Sequence, residues 1–441
     1  MKKWLGSLVA LSALLGACGG GDTSGDLEES ITIGDNVEDS TELTFWTFAE
    51  VHVRIFENAV ERWNEENADR PITLTAEVYP YDQMHNNLLM SIQSGSGAPD
   101  IVDIELNRFP DYLQGEPQLE PMNEYVEPVI DEFVESRLEI YSKDGDYYGL
   151  PTHVGATVMY YNEDIMDEAN VDINAIVTWD DYVEAGEQVV NNTDALMTTF
   201  ETDDIFVLWS MISQQGSDFI DEKGDIIIDN DINVETLDFM AELVHDKEIA
   251  DIAPGGLHHA EEYYGFMNEH GAASVMMPMW YMSRFLDYMP DLEGQIQIRP
   301  LPVWEEGGDR SAGMGGTGTV VTNQSEEVEL AKEFLAYTKL SEEGNIDLWK
   351  ELGFDPPMWD VWESEAMSED NEYFQFFHDD IFEILVEIRD EVNPVNITAD
   401  TPSVSDELTT NIFNNVLRQN SQTAREALEQ AKVEIENRSS D

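Results

Sequence analysis

Apolar residues recur along the first quarter of the chain with two periods, which predict strands and helices in turn. Alternating or β-branched apolar runs predict strands at 43–46, 72–78 and 100–104. Apolar residues spaced three and four apart predict helices over 51–67 and 81–94, between those strands. This order predicts crossover connections and a largely parallel sheet, in which ligands lie beyond the carboxyl ends of the strands.

The same alternation of elements continues through the rest of the chain. Hairpins are predicted at 140–148 and 219–228, where turn residues separate apolar runs. β-type runs at 157–161 and 273–277 indicate a second sheet, and the tail over 405–437 indicates two helices. Further helices are expected over 163–170, 179–191, 203–215 and 233–246. The chain is therefore expected to be an α/β protein with more than one sheet.

The amino terminus has the pattern of a lipoprotein signal. A positive start, Met1-Lys2-Lys3, precedes an uncharged apolar stretch that is too short to span about 30 Å of hydrocarbon. The stretch ends in Leu15-Gly16-Ala17-Cys18, which resembles a bacterial lipoprotein cleavage site and implies lipid attachment to Cys18. We therefore predict a signal peptide over 1–17 and a lipid anchor with a flexible tether over 18–40. An ordinary secretory signal with an incidental cysteine is the alternative.

Composition narrows the possible partners. Lys and Arg total 21 against 93 Asp and Glu, which gives a formal charge of −72. A polyanion of this size is repelled by nucleic acids and by anionic membrane surfaces, so contact with a membrane is expected through the lipid anchor alone. The acidic residues are spread along the whole chain, which indicates a halophilic protein whose self-repulsion is screened by salt; a generally acidic, soluble surface is the alternative. The single cysteine excludes a disulfide framework and a multi-cysteine metal site.

Five sets of short segments carry a family resemblance. They are 44–48, 94–102, 147–151 with 160–162, 178–182, and 313–316 with 331–335. In this order, behind a lipoprotein signal, they resemble the extracellular solute-binding proteins of the sugar-transporter type, the group that includes maltose-binding protein. The resemblance implies an α/β fold with two lobes, a periplasmic-binding-protein or Venus-flytrap fold, with the ligand cleft between the lobes.

The resemblance also implies a division of the chain and a mechanism. We expect lobe 1 to comprise 41–151 plus 305–345, and lobe 2 to comprise 152–304 plus 346–441. Hinge closure on the ligand would produce the form that docks on the permease subunits of an ABC importer. The protein is expected to act as a monomer outside the cytoplasm.

The chemistry of sugars selects the candidate site residues. Aromatic rings cover the C–H faces of a sugar, and carboxylate or amide groups bond its hydroxyls. The candidates are Trp46, Glu50, His52, Glu105, Asp204, Trp209, Trp280, Trp304, Gly315, Gly316 and Trp359. The segment containing Asp204 and Trp209 is included because the resemblance implies sugar contacts there. Core packing is the alternative for Trp46 and Trp209, and plain solvation is the alternative for Glu50 and His52. For Gly315 and Gly316 the alternative is a loop that needs positive φ.

Three functions remain open from the sequence. A binding protein for a neutral sugar is favoured because no basic cluster is present to hold an anion. Within that class, the family resemblance implies arabinose- or lactose-type oligosaccharides. A secreted glycoside-acting enzyme is a second possibility, but no nucleophile elbow, phosphate loop or zinc-protease motif is found. A binding protein for a cationic ligand, such as a polyamine or peptide, is the third. No cofactor or metal is expected, and His258-His259 is predicted to be a surface loop.

Overall fold

A computed structural model describes residues 27, 29–34, 37, 39–377, 381–393 and 395–439. The predicted signal peptide over 1–17 and the predicted lipidation at Cys18 lie outside the described residues. Among the residues that are described, no helix has the length and apolar character needed to cross a membrane.

Strands and helices alternate along the chain, as the apolar pattern predicts. The strands are β1 (Glu29–Ile33), β2 (Thr41–Thr47), β3 (Ile72–Val78), β4 (Ile101–Glu105), β5 (Ser142–Lys143), β6 (Asp146–Tyr147), β7 (Gly149–Pro151), β8 (Thr157–Asn162), β9 (Thr198–Phe200), β10 (Ala250–Ile252), β11 (Ser274–Pro278), β12 (Ile296–Arg299) and β13 (Thr317–Val321). The helices are α1 (Val53–Glu66), α2 (Tyr81–Ser94), α3 (Phe109–Tyr112), α4 (Asn123–Val126), α5 (Glu135–Glu139), α6 (Glu163–Ala169), α7 (Trp179–Asn192), α8 (Phe206–Ser213), α9 (Asp231–His245), α10 (Glu261–Asn268), α11 (Met282–Tyr288), α12 (Val328–Lys339), α13 (Glu342–Leu352), α14 (Glu372–Phe377), α15 (Ile381–Ile388), α16 (Thr401–Glu407) and α17 (Ala424–Ser439). Two π-helical segments, Leu408–Ile412 and Asn414–Arg418, lie between α16 and α17.

The larger sheet has the strand order β1-β3-β2-β4-β13-β7. Its centre is parallel, because β2 pairs in parallel with β3 and with β4, and the crossover helices α1 and α2 connect these strands. The predicted face of α1 is confirmed, since Ile55, Phe56, Ala59, Val60 and Trp63 are all buried. Helices α12 and α13 pack beside α1. This layer of helices forms one apolar core with the sheet.

A smaller sheet and its helices form the second lobe. Strand β8 lies between β11 and β12, and both pairings are antiparallel. The short strands β9 and β10 pair in parallel nearby, and α9 packs against α8 and α17. The chain therefore passes from the larger sheet to the smaller one after β7 and returns before β13. It passes a third time between α13, which packs on α1, and α14, which contacts β12.

The structure corrects two predicted boundaries. The predicted tether over 18–40 is wrong for Glu29–Ile33, because this segment pairs antiparallel with β3 as the edge strand of the larger sheet. Its short run of isoleucine and threonine is typical of an edge strand. The predicted return of the chain to lobe 2 at residue 346 falls inside α13. This helix instead packs with α1 and α12 in lobe 1. The remaining lobe boundaries stay predictions.

The passages between the lobes are bound to one another through a buried carboxylate. The backbone N–H groups of Gly155 and Ala156 donate to the Asp355 carboxylate at 3.1 and 2.6 Å, and Val154 N–H donates to its backbone carbonyl at 2.9 Å. Burial raises the pKa of Asp355 to about 6. Gly155 has a φ of 79°, and a Cβ there would lie 2.1 Å from the carbonyl oxygen of Met314. Only glycine therefore fits where these passages meet.

We expect Asp355→Ala to lower the free energy of unfolding by about 2–4 kcal/mol, because two buried N–H donors would lose their acceptor. Denaturant unfolding followed by circular dichroism measures the change. Asp360→Ala is the control, because Asp360 is exposed and its removal should change stability by no more than about 0.5 kcal/mol. Equal losses for the two variants would contradict a structural role for Asp355.

Candidate functional site

The candidate site lies where loops of the two sheets meet. Glu105 ends β4 in the larger sheet, and Leu106 N–H donates to the carbonyl of Gly316 at 2.9 Å. Trp280 follows β11 of the smaller sheet, and a Cβ at Gly315 would lie 3.0 Å from its indole nitrogen. The structure therefore brings together four of the predicted residues, Glu105, Trp280, Gly315 and Gly316. We call this region the inter-lobe site.

Glu105 has one carboxylate oxygen without a partner. The hydroxyl of Tyr81 and the backbone N–H of Asn107 donate to its Oε2 at 2.9 and 2.8 Å. Its Oε1 is buried and accepts no hydrogen bond from the described residues. Burial raises the pKa of Glu105 to about 8, with a smaller contribution from the charge of Asp204. Asp204 lies on the other lobe, in the same segment as Phe206, whose ring is next to that of Trp280.

The opposite wall of the inter-lobe site comes from the segment between β9 and α8. Glu201 is 1% exposed, and its Oε1 accepts the backbone N–H of His258 at 2.8 Å. Its Oε2 is buried without a hydrogen bond from the described residues and lies 4.0 Å from the Nδ1 atom of His258. Burial raises the pKa of Glu201 and raises that of Asp204 to about 6. The site thus contains unpaired oxygens on both lobes.

Aromatic rings surround Trp280. Its ring centroid lies 6.3 Å from that of Phe206 and 6.5 Å from that of His259. The Nδ1 atom of His259 lies 3.6 Å from Glu201 Oε1, and burial lowers the pKa of His259 to about 4, so this ring is neutral at pH 7. The indole is only partly buried, so part of its surface is open to a ligand.

The predicted surface loop at His258-His259 is wrong for His258, which is fully buried. Its Nε2 lies 2.9 Å from the hydroxyl of Thr199, and its carbonyl accepts the hydroxyl of Tyr281 at 2.5 Å. In the described part of the chain, no group of three or more His, Cys, Asp or Glu side chains could hold a metal ion.

Three predicted residues of lobe 1 lie outside this group. Trp46 packs edge-on against Tyr79, with ring centroids 5.3 Å apart. His52 is 5% exposed, and its Nδ1 lies 2.8 Å from the buried carboxylate of Asp103. Glu50 is exposed. The ring of His52 is therefore held inside the lobe, where it pairs with the carboxylate.

Three predicted tryptophans also lie elsewhere. Trp209 is 1% exposed, and its indole N–H donates to Asp218 at 2.8 Å, so the structure places it in the core of lobe 2. Trp304 packs with Trp179 at a centroid distance of 5.5 Å. Trp359 packs with Trp362 at 5.1 Å. The structure brings none of these three next to Trp280.

Several residues of the site escaped the sequence analysis. They are Tyr81, Asn107, Glu201, Phe206 and His259. Tyr81, Asn107 and Glu201 each follow a strand by one to three residues. The rule that ligands lie beyond the carboxyl ends of strands places the segment 105–108, and with it Asn107, on the ligand-facing rim. Applied to β3 and β9 as well, the rule would have found Tyr81 and Glu201. Nothing in the local pattern distinguishes Phe206 or His259, because a contact between loops far apart in sequence brings each of them to the site.

The arrangement can hold a ligand by two kinds of contact. Unpaired oxygens of Glu105 and Glu201 accept hydrogen bonds from hydroxyl or ammonium groups. The partly exposed indole of Trp280 offers an aromatic ring against which the apolar surface of a ligand can pack.

Comparison with known proteins agrees with this architecture. Residues 49–343 match the family model for bacterial extracellular solute-binding proteins. The arabinooligosaccharide-binding protein of Halalkalibacterium halodurans is 61% identical over 409 residues, which cover 93% of this chain and 92% of the relative. A protein of the same description from Bacillus subtilis is 51% identical over 398 residues, covering 90% and 92% of the two chains.

Solved structures of low sequence identity share the fold. A substrate-binding protein from Listeria monocytogenes, solved with cycloalternan, superposes with a TM-score of 0.74 at 19% identity, covering 91% of this chain and 100% of that one. The predicted α/β fold with two lobes is confirmed. On the family match and these relatives, the chain belongs to the bacterial extracellular solute-binding protein family, as its sequence predicted.

Proposed function

We propose that this protein is the substrate-binding lipoprotein of an ABC importer, that it captures a neutral arabino-oligosaccharide by hinge closure, and that it delivers the sugar to membrane permease subunits. It acts as a monomer and does not alter the sugar chemically. Two relatives at 61% and 51% identity carry the description arabinooligosaccharide-binding protein, which supports this class of sugar.

The observation that carries the proposal is the buried Oε1 of Glu105, which has no hydrogen bond from the described residues, in a site that also contains the partly exposed Trp280. A buried carboxyl oxygen without a hydrogen-bond partner costs about 1–3 kcal/mol, and a ligand hydroxyl, which can both donate and accept, would remove that cost. Burial disfavours the charged forms of Glu105 and Asp204, so the site favours neutral donors. Sugar hydroxyls meet this requirement, and sugar C–H groups pack on the indole.

We propose direct ligand contacts for Glu105, Asp204 and Trp280. We also propose that the ligand approaches the backbone at Gly315 and Gly316, where a Cβ would lie 3.0 Å from the indole nitrogen and 2.7 Å from the Tyr141 hydroxyl, respectively. A ligand that touches both lobes favours the closed form by the difference between its affinities for the closed and open forms. The three chain passages near Asp355 supply the hinge.

A cationic ligand is the second candidate, because three carboxyl groups, those of Glu105, Glu201 and Asp204, lie at the inter-lobe site. A full positive charge would pair with ionised forms of these groups. Glycoside hydrolysis is a third outcome, in which the same carboxyl groups would act as acid and base.

Calorimetric titration with arabino-oligosaccharides, lactose and spermidine tests these candidates, with product analysis of each sugar after incubation. We expect arabino-oligosaccharides to bind without being cleaved, and we expect Trp280→Ala to weaken that binding by about 1–3 kcal/mol, because the sugar loses its aromatic platform. Trp304→Ala is the control, since Trp304 packs in a separate aromatic cluster and its loss should leave the affinity unchanged. Binding of spermidine alone, cleavage of the sugar, or equal weakening by both variants would contradict the proposal.

We further propose that residues 1–17 are removed as a signal peptide and that Cys18 carries the lipid. We expect Cys18→Ser to release the protein from the membrane fraction, because acyl chains supply about 0.8 kcal/mol per buried methylene and nothing would replace them. Fractionation of cells and immunoblotting measure the change, and sugar binding by the released protein should match that of the unchanged protein. Retention of the variant in the membrane fraction would refute lipidation.

We also propose that the formal charge of −72 is an adaptation to concentrated salt. Raising NaCl from about 0.1 M to about 1 M shortens the Debye length from about 10 Å to about 3 Å, which screens repulsion between surface carboxylates. We therefore expect the midpoint of thermal unfolding to rise with NaCl. Sucrose of equal osmolarity is the control, because it stabilises by exclusion without screening charge. A midpoint that rises no more in NaCl than in sucrose would count against salt adaptation.

A further inference from the structure

A line of three side chains runs outward from the inter-lobe site along α11. Trp280 lies in a 3-10 turn that continues directly into this helix. Arg284 and Tyr288 follow at intervals of four residues, so the three side chains share one face. At about 1.5 Å per residue, this face extends about 12 Å beyond the indole. Its exposure increases outward, since Trp280 and Arg284 are partly buried and Tyr288 is 50% exposed.

Tyr288 is presented as a flat platform. Its ring stacks on that of Tyr264, with centroids 4.7 Å apart and an interplanar angle of 3°. Tyr264 itself is only 8% exposed, and its ring covers one face of the Tyr288 ring. The exposed half of Tyr288 must therefore lie on its other face and edge. A single exposed tyrosine is ordinary on a protein surface, but this one is held rigid and lies in line with the binding aromatic.

Arg284 has no carboxylate partner in the part of the chain that is described. The carboxylate of Asp287, one turn away on the same helix, pairs instead with Arg54 of lobe 1 at 3.8 Å. The guanidinium of Arg284 donates to the hydroxyl of Ser283 at 3.5 Å, a weak contact. In a chain with 93 acidic residues, an arginine left without one is unusual. Its remaining N–H donors are available to hydroxyl oxygens.

His259 lies beside the inner end of this line, with its ring centroid 6.5 Å from that of Trp280. Burial lowers the pKa of His259 to about 4, with a smaller contribution from the charge of Arg284. The ion pair between Arg54 and Asp287 also places α11 at the border of lobe 1. The line is thus continuous with the inter-lobe site and belongs to its rim.

We infer that Arg284 and Tyr288 form an outer subsite that binds the distal units of an oligosaccharide whose first units occupy the inter-lobe site. This inference rests on the proposed function. Each step of four residues covers about 6 Å, comparable with one sugar unit. Tyr288 packs against the C–H face of a distal unit, and Arg284 donates to hydroxyl or ring oxygens between it and Trp280. The subsite selects for chain length.

Titration calorimetry of the full mature chain with arabino-oligosaccharides of two to six units tests this inference. The unchanged protein should bind longer ligands more tightly. We expect Tyr288→Ala and Arg284→Ala to leave affinity for the two-unit ligand unchanged and to weaken binding of the five- and six-unit ligands about threefold to tenfold. Both side chains are at least partly exposed, so thermal unfolding should shift little.

Lys223→Ala is the matched control, because it removes the same unit of charge from an exposed hairpin of lobe 2. It should change affinity for no ligand in the series. Equal weakening of short and long ligands, or no weakening of any, would overturn the outer subsite while leaving the proposed function intact. Failure of the unchanged protein to bind any arabino-oligosaccharide would overturn the proposed function, and the outer subsite with it.

Discussion

The two-lobed arrangement of this protein depends on one constraint: carboxyl oxygens are buried at the inter-lobe site without hydrogen-bond donors. Glu105 and Glu201 each hold one buried oxygen that has no hydrogen bond from the described residues. Such groups are costly in a closed interior, and the surrounding cores of the two lobes must offset that cost. Two states would relieve it: an open form in which water reaches the oxygens, and a closed form in which a ligand bonds them. Under the proposed hinge closure, two lobes joined by three passages of chain would allow both states.

Much of the fold was predictable from the sequence, because local patterns determine it. The apolar spacing of α1 fixes its buried face, and alternation marks β2 to β4. Strand β1 was missed, since five residues of modest apolar character acquire their structure from pairing with β3. The site was only partly predictable. Trp209 and Trp280 look alike in sequence, yet one bonds Asp218 inside the core and the other reaches the inter-lobe site. Tertiary contacts separate them, and no local pattern contains those contacts.

The few basic residues are used mainly to join elements that are distant in sequence. Arg62 pairs with Asp347 and so connects α1 to α13, and Arg70 bonds both carboxylate oxygens of Glu333 on α12. Arg310 bonds Glu387 and Glu391, which connects the chain before β13 to α15 and its end. With 21 cations against 93 carboxylates, each such pair also removes a local excess of negative charge. Because these basic side chains lie between helices and strands, the outer surface stays strongly acidic.

The position of the edge strand β1 limits how far lobe 1 could lie from a membrane if Cys18 carries a lipid. It begins at Glu29 and is paired along its length with β3, so only residues 19–28 separate it from Cys18. Even fully extended, ten residues reach no more than about 36 Å. On a lipid anchor at Cys18, lobe 1 would thus be confined to a thin layer above the bilayer. That confinement keeps the local concentration of the protein around any membrane-embedded partner high without requiring strong affinity between the two.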